Sequence, residues 1–198
     1  MRVTFVTSNP HKFWEIRAIL RPFGIDVAWR RQSLPEPQAQ GLRDVVRMKL
    51  EHVPPQAGPV LVEDSGVFFR GLNGFPGVYS RYVYDTIGLD GILRLLSGRS
   101  RAATFRTVAG LRIGRTVSFS EGRSPGSVAR APRGAHGFGY DPIFIPMGSR
   151  RTYAEMATEE KNRTSHRALA MRALARTLNS RRGRPGRRSK SARPSARR

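Results

Sequence analysis

Four stretches of the chain gather side chains able to handle phosphate, a divalent cation or a flat ring. The first is Thr7-Ser8-Asn9-Pro10-His11-Lys12. Asn9 and Pro10 stand in the preferred order of a helix cap and a first helical residue. A helix start offers unpaired N–H groups and the positive end of a dipole, so with Lys12 it suits an anion. An ordinary Asn cap beside a solvated lysine accounts for the same residues. The second stretch is Glu63-Asp64-Ser65-Gly66, to be taken with Glu36. Magnesium is held by one or two carboxylates, waters and substrate phosphates, so Glu36 and Asp64 with a phosphate from the first stretch make a complete site. A plain turn capped by Asp64 is the alternative.

The third stretch, Gly134 to Pro142, alternates glycines with Phe138, Tyr140 and Asp141. Such a loop can approach a flat ligand closely, with Phe138 stacking on it and Asp141 accepting hydrogen bonds. It can equally be a glycine-rich turn covering a core edge. The fourth comprises Glu155, Lys161, Asn162, Ser165, His166 and Arg167, taken alone only a polar start to a last helix.

The elements that must carry these residues follow from pattern. Val3 to Val6 predicts a strand, and Phe13, Ile16, Leu20 and Phe23 an amphipathic helix ended by Gly24. Ile25 to Trp29 is a second strand, and Leu42 to Val53 a helix with Val45, Met48 and Val53 inward. Val60 to Val62, continuously apolar, is a strand covered on both faces, so the acids after it are expected at its end. Thr86 to Leu96 is helical with Ile87, Ile92, Leu95 and Leu96 as its apolar residues. Ala103 to Ile113 and Thr116 to Ala129 form an antiparallel pair with Gly114 and Gly126 at turns, and Thr164 to Leu178 is the last helix. Helices between the early strands and antiparallel strands in the middle predict a three-layer α/β protein with a mixed sheet. Neither a GxGxxG nor a Walker lysine motif is present, which sets aside the familiar dinucleotide and P-loop folds.

Composition narrows the class of function. With no cysteine, disulfides and thiolate metal sites are excluded. No apolar run approaches the roughly 18 residues needed to cross a bilayer, and the amino terminus lacks the pattern of a signal peptide, so a cytoplasmic protein is expected. The net charge is +22. Nine basic residues and no acid lie between Arg181 and Arg198, among Gly, Pro and Ser, which leaves +13 for residues 1–180. That tail cannot bury enough surface to order itself, so the folded domain is expected to be 1–180 and the tail 181–198 disordered, with nucleic-acid contact open to it. Only four of the 36 basic residues are lysines: Lys12, Lys49, Lys161 and Lys190.

Together and in this order, the stretches closely resemble the inosine triphosphate pyrophosphatase family, enzymes that remove non-standard purine nucleoside triphosphates. The resemblance rests on Thr7, Asn9, Lys12 and Glu15, on Asp64-Ser65-Gly66 continuing through Gly71, Leu72, Gly74 and Pro76 to Tyr82, and on Gly137 to Pro142 with Phe144 and Pro146. Ala154-Glu155-Met156, Glu160-Lys161-Asn162 and Ser165-His166-Arg167 complete it, over about Val3 to Asn179. It implies an elongated subunit with a long mixed sheet, two lobes with a cleft between them, and a homodimer. It also implies phosphate contacts from Thr7, Ser8, Asn9, Pro10, His11, Lys12 and Lys49, and Mg²⁺ on Glu36 and Asp64, with Asp64 the catalytic carboxylate. Ser65 would contact the nucleotide, Phe138 would stack on the purine, and Gly139, Tyr140 and Asp141 would line the base pocket. Lys161, His166 and Arg167 would complete recognition, while Lys12, Lys49 and Lys161 would neutralise charge on the leaving pyrophosphate. A basic cleft would steer the triphosphate in. Ser8 stands where the family often has Gly, Val67 where Leu is usual, and the tail has no counterpart.

Overall fold

The computed structural model describes residues 1–182. Strand β1 (Arg2–Val6) is followed by helix α1 (Pro10–Leu20), β2 (Asp26–Arg30), α2 (Leu42–Glu51) and β3 (Val60–Phe69). Then come α3 (Ser80–Leu95), β4 (Ala102–Ile113), β5 (Thr116–Val128), β6 (Phe144–Pro146), α4 (Thr158–Thr164) and α5 (His166–Arg182). The strands form one open sheet in the order β2-β1-β3-β4-β5-β6. β1 is parallel to β2 and β3, and every later pairing is antiparallel. The expected mixed α/β sheet is therefore present.

Alternation along β3 decides what each side chain meets. Val60 and Val62 pack with Val6, Val46 and Leu50, the last two from α2. Leu61, one residue out of phase, packs with Phe5, Phe13, Ile16, Met171 and Leu174, which bring α1 and α5 onto the opposite face. Farther along, Val67 and Phe69 join Phe105, Ile92, Leu96 and Phe144 in a third cluster. By the same alternation, Glu63 and Ser65 belong to the side of α1 and α5, and Asp64 to the side of α2.

Several sequence expectations are corrected. β3 does not stop at Val62: it pairs with β4 from Val60↔Arg112 to Phe69↔Ala103, so Glu63 and Asp64 lie inside a strand. What ends is its other neighbour, since the β1–β3 register closes at Phe5↔Leu61. The edge of β3 beyond that pair faces the turn that leads into α1. Antiparallel pairing thus overrides a polar stretch that locally suits a turn. On α2, Met48 is exposed, and Lys49 takes the inward position beside Val45, Val46 and Leu50. Helix α3 begins at Ser80 rather than Thr86 and is broken at Gly88, and Ile87 and Leu95 are exposed while Ile92 and Leu96 are buried. Gly126 is not at a turn; it pairs with Ala103 inside β5, where a Cβ would meet the Ile145 carbonyl oxygen at 2.2 Å. The last helix starts at His166, and Lys161 sits on the separate α4. Arg181 and Arg182, expected in the disordered tail, continue α5, and the rest of that tail lies outside the described residues.

Candidate active site

The turn after β1 is built by its own side chains. Thr7 Oγ1 accepts from the Asn9 N–H at 3.1 Å, and Asn9 Oδ1 accepts from the Lys12 N–H at 3.2 Å, the expected cap. Trp29 Nε1 donates to the Thr7 carbonyl at 2.9 Å, tying the turn to β2. Pro10, first residue of α1, has no N–H to satisfy. The Lys12 ammonium reaches across to Glu63 Oε2 at 2.7 Å.

Asp64, on the other face of β3, accepts from Lys49 Nζ at 2.6 Å, and the same ammonium lies 3.0 Å from both oxygens of Glu36. Burial pushes the Asp64 carboxyl above the usual aspartate range, even against the opposing pull of Lys49 and Lys12. Glu63 goes the other way: burial raises it, but Arg167 and Lys12 outweigh burial and hold it well below the usual range. Two adjacent acids on opposite sheet faces thus have opposite electrostatic fates.

Ser165, in an extended conformation between α4 and α5, caps α5 by accepting from the Ala168 N–H at 3.2 Å. This places His166 and Arg167 in the first turn. Arg167 is fully buried and donates from Nε to Glu63 at 2.8 Å, from Nη1 to Glu15 at 2.5 Å and from Nη2 to Ser65 Oγ at 3.2 Å. Three of its five N–H groups are thereby engaged, leaving one on each terminal nitrogen. Ser65 donates to Glu63 at 2.7 Å and lies 2.6 Å from the Thr107 hydroxyl. With one hydrogen and two lone pairs, the Ser65 hydroxyl is saturated once Thr107 and Arg167 donate to it. His166 lies flat on Phe105, with centroids 4.4 Å apart and planes at 8°. Burial first, then Arg167 and Lys161, hold its pKa well below the ordinary value, so the ring is neutral; its Nδ1 has no partner among the described residues.

The glycine-rich loop is closed by Asp141, whose Oδ2 accepts from the Phe138 N–H at 2.9 Å and from Lys161 Nζ at 2.6 Å. Lys161 also donates to Glu15 at 2.8 Å and lies 5.2 Å from the Phe138 ring centroid. It therefore sits between the Phe138 ring, Asp141 and Glu15. Tyr140 donates its hydroxyl to the Ser80 carbonyl at 2.9 Å, anchoring the loop on α3. At Gly137, φ is +74° and a Cβ would stand 2.1 Å from Asp141 Oδ2. We expect Gly137→Ala to dislodge Asp141 and Lys161 together, costing about 1–2 kcal/mol for the backbone conformation alone. Melting temperature and KM should both worsen; an unchanged KM would show that the loop does not shape the site.

These groups surround one cleft of about 610 Å³, within the range of small-molecule sites. Every residue expected at the site lines it except Pro10. The sequence marked Glu15 only as part of the resemblance and Glu63 only as part of the acidic stretch, with no role for either in binding the cations of the site to one another, and it did not mark Thr107. The signal for Glu15 was its place three residues after Lys12 on a helix; nothing local marked Thr107, which faces Ser65 only through the β3–β4 register. The cleft is also not simply basic: of the residues lining it, Lys12, Lys49, Arg81, Lys161 and Arg167 are matched by Glu36, Glu63, Asp64, Asp85 and Asp141, five cations against five carboxylates, and Glu15 pairs with Lys161 and Arg167 besides.

An open mixed α/β sheet thus carries a charged cleft formed by a helix-start turn, a carboxylate pair and a glycine-rich loop, an arrangement that suits a phosphate-bearing ligand. The chain belongs to the Ham1 family, whose sequence model matches residues 3–177. It is 48% identical over 177 residues to the dITP/XTP pyrophosphatase of Pyrococcus horikoshii, covering 88% of this chain and 95% of that one. To the protein of the same name from Thermococcus kodakarensis it is 49% identical over 180 residues, covering 90% and 97%. Among solved structures, a HAM1 protein from Coxiella burnetii superposes with a TM-score of 0.78 at 30% identity, covering 91% of this chain and 99% of that one.

Proposed function

We propose that this chain hydrolyses non-standard purine nucleoside triphosphates, ITP, dITP and XTP, to the monophosphate and pyrophosphate, with Mg²⁺ as cofactor. The observation that carries the reading is the convergence, in one cleft, of the Thr7–Lys12 turn, the Glu36–Asp64 carboxylates and the Phe138 ring. These match the three parts of such a substrate: phosphates, their metal and the base.

The donor set suits a hard cation. Glu36 and Asp64 already direct their oxygens at one positive centre, the Lys49 ammonium. Among the described residues no three His, Cys, Asp or Glu side chains converge on a point, so a metal here draws its remaining ligands from water and substrate, as magnesium does. A cleft whose cations are already matched by carboxylates also has little free positive charge for a triphosphate carrying about four negative charges, which an added cation would supply. When bound, magnesium polarises the phosphates and the attacking water. Asp64 takes the proton of the water, while Lys12 and Lys49 meet charge growing on the leaving pyrophosphate. Phe138 stacks on the purine. The neutral His166 and the two spare N–H groups of Arg167 read its edge.

Pyrophosphate release from ITP, dITP and XTP, set against ATP and GTP and measured with and without Mg²⁺, tests the proposal; no release from any of the first three overturns it. Phe138→Leu should raise KM for ITP by about tenfold with a smaller change in kcat, because loss of base stacking costs roughly 1–3 kcal/mol. An unchanged KM would remove Phe138 from the base site. We further propose a cytoplasmic homodimer, to which the exposed Phe75, Tyr79 and Tyr82 offer an apolar surface; no helix among the described residues is long and apolar enough to cross a membrane. The alternative of nucleic-acid binding by the basic tail concerns residues outside those described, and binding that weakens steeply with salt would reveal it.

A further inference from the structure

Lys49 occupies an unusual place for an ammonium. It lies on the inward face of α2 between core residues Val45, Val46 and Leu50, is 5% exposed, and lies 2.6 Å from Asp64 Oδ1 and 3.0 Å from each oxygen of Glu36. Only Asp64 among these partners is buried; the Glu36 side chain is 63% exposed, hanging from the loop before α2. Among the described residues, the ammonium is the one hydrogen-bond partner that holds that loop carboxylate at the cleft. A divalent ion held by the same two carboxylates would compete with Nζ for their oxygens. Ammonium and metal would thus draw on the same negative charge.

We propose that Lys49 is a place-holding cation: it keeps Glu36 and Asp64 together while no metal is bound, and metal entry expels it toward the triphosphate. The proposal rests on the reading of Glu36 and Asp64 as metal ligands. Its chemistry is plain. An ammonium on a flexible four-carbon stem can leave one pair of anions for another without loss of its charge, which a rigid guanidinium fork does less readily. The same lysine then serves the free enzyme and the loaded one. Lys12 provides the contrast, because it sits near Asp64 but is hydrogen-bonded to Glu63 instead.

The test titrates Mg²⁺ alone, without nucleotide, into wild type, Lys49→Met and Lys12→Met, followed by calorimetry and thermal melting. Without metal, Lys49→Met should melt below wild type, and saturating Mg²⁺ should raise its melting temperature far more than that of wild type. Its Mg²⁺ dissociation constant should tighten by about tenfold or more, since the competing cation is gone, whereas Lys12→Met should stay within about threefold of wild type. Equal tightening in both variants would mean simple charge repulsion and would overturn the proposal, as would equal affinity in wild type and Lys49→Met. If neither binds Mg²⁺, the metal-ligand reading beneath the proposal fails instead. Should Lys49→Met not fold without metal, refolding on Mg²⁺ addition supports the proposal. Failure of both Lys49→Met and Lys49→Gln to fold in saturating Mg²⁺ overturns it.

Discussion

Asp64→Asn is expected to lower kcat/KM for ITP by about 10³-fold or more while leaving the protein folded, because on the proposed reading one substitution takes away both a metal ligand and the proton acceptor. The fold should survive for a reason visible in the electrostatics. Burial raises the Asp64 pKa despite Lys49, so the native state gains little from that negative charge. The amide oxygen of Asn can still accept from the ammonium now 2.6 Å from Oδ1. A melting-temperature change under about 4 °C, roughly 1 kcal/mol for a chain of this size, is expected. The neighbouring acid should behave oppositely. Arg167 and Lys12 hold Glu63 below its usual range against the cost of burial, so Glu63→Gln removes a carboxylate on which two buried cations depend. It should lower the melting temperature well beyond Asp64→Asn. Thermal melting and ITP turnover on the two variants decide the matter: near wild-type turnover in folded Asp64→Asn would end its assignment as the catalytic carboxylate.

The contrast between these two acids also shows what could be read from the chain alone. The Thr7–Lys12 turn was legible because its logic is local: an Asn cap, a proline in the first turn and a lysine follow one another in sequence. The mixed sheet was legible from the spacing of apolar runs. The extent of β3 was not, since Glu63-Asp64-Ser65-Gly66 suits a turn by composition and becomes strand only through ten residues of pairing with β4. Lys49 was misjudged against Met48 for a similar reason. Periodicity puts an apolar residue inward, and only acids at positions 36 and 64 make the charged one tolerable there. The ties between Glu15 and Arg167, 152 residues apart, and between Lys161 and Glu15, 146 apart, have no local signature. Each half of such a pair is, by itself, an ordinary charge on a helix.

On the proposed function, Arg167 is where this non-local network would bear on specificity. Hypoxanthine and xanthine carry an acceptor at position 6 where adenine carries an amine, so a side chain made only of donors pairs with the first two and opposes the third. The structure sharpens the expectation by showing what else Arg167 does. Two of its nitrogens are committed to Glu63 and Glu15, and a third N–H to Ser65. Arg167→Ala would leave two buried carboxylates short of a partner, and breaking a buried pair costs about 3–5 kcal/mol. At 2–4 °C per kcal/mol, its melting temperature should fall by roughly 6–20 °C, and lost activity would report on the fold as much as on the base. Arg167→Lys is therefore the informative variant. It keeps the positive charge that Glu15 and Glu63 require, but a single ammonium cannot span both acids and still present a planar pair of donors to a purine edge. We expect it to retain most of the stability, to lower kcat/KM for ITP much more than for ATP, and to narrow the ratio between them. Discrimination against GTP should change little, because guanine shares the 6-keto oxygen and must be rejected elsewhere. A site built to hydrogen-bond one group can discriminate by 10⁴ or more, so the narrowing should be large enough to measure plainly. Equal proportional losses for ITP and ATP in a well-folded Arg167→Lys protein would show that Arg167 supports the carboxylates and does not read the base.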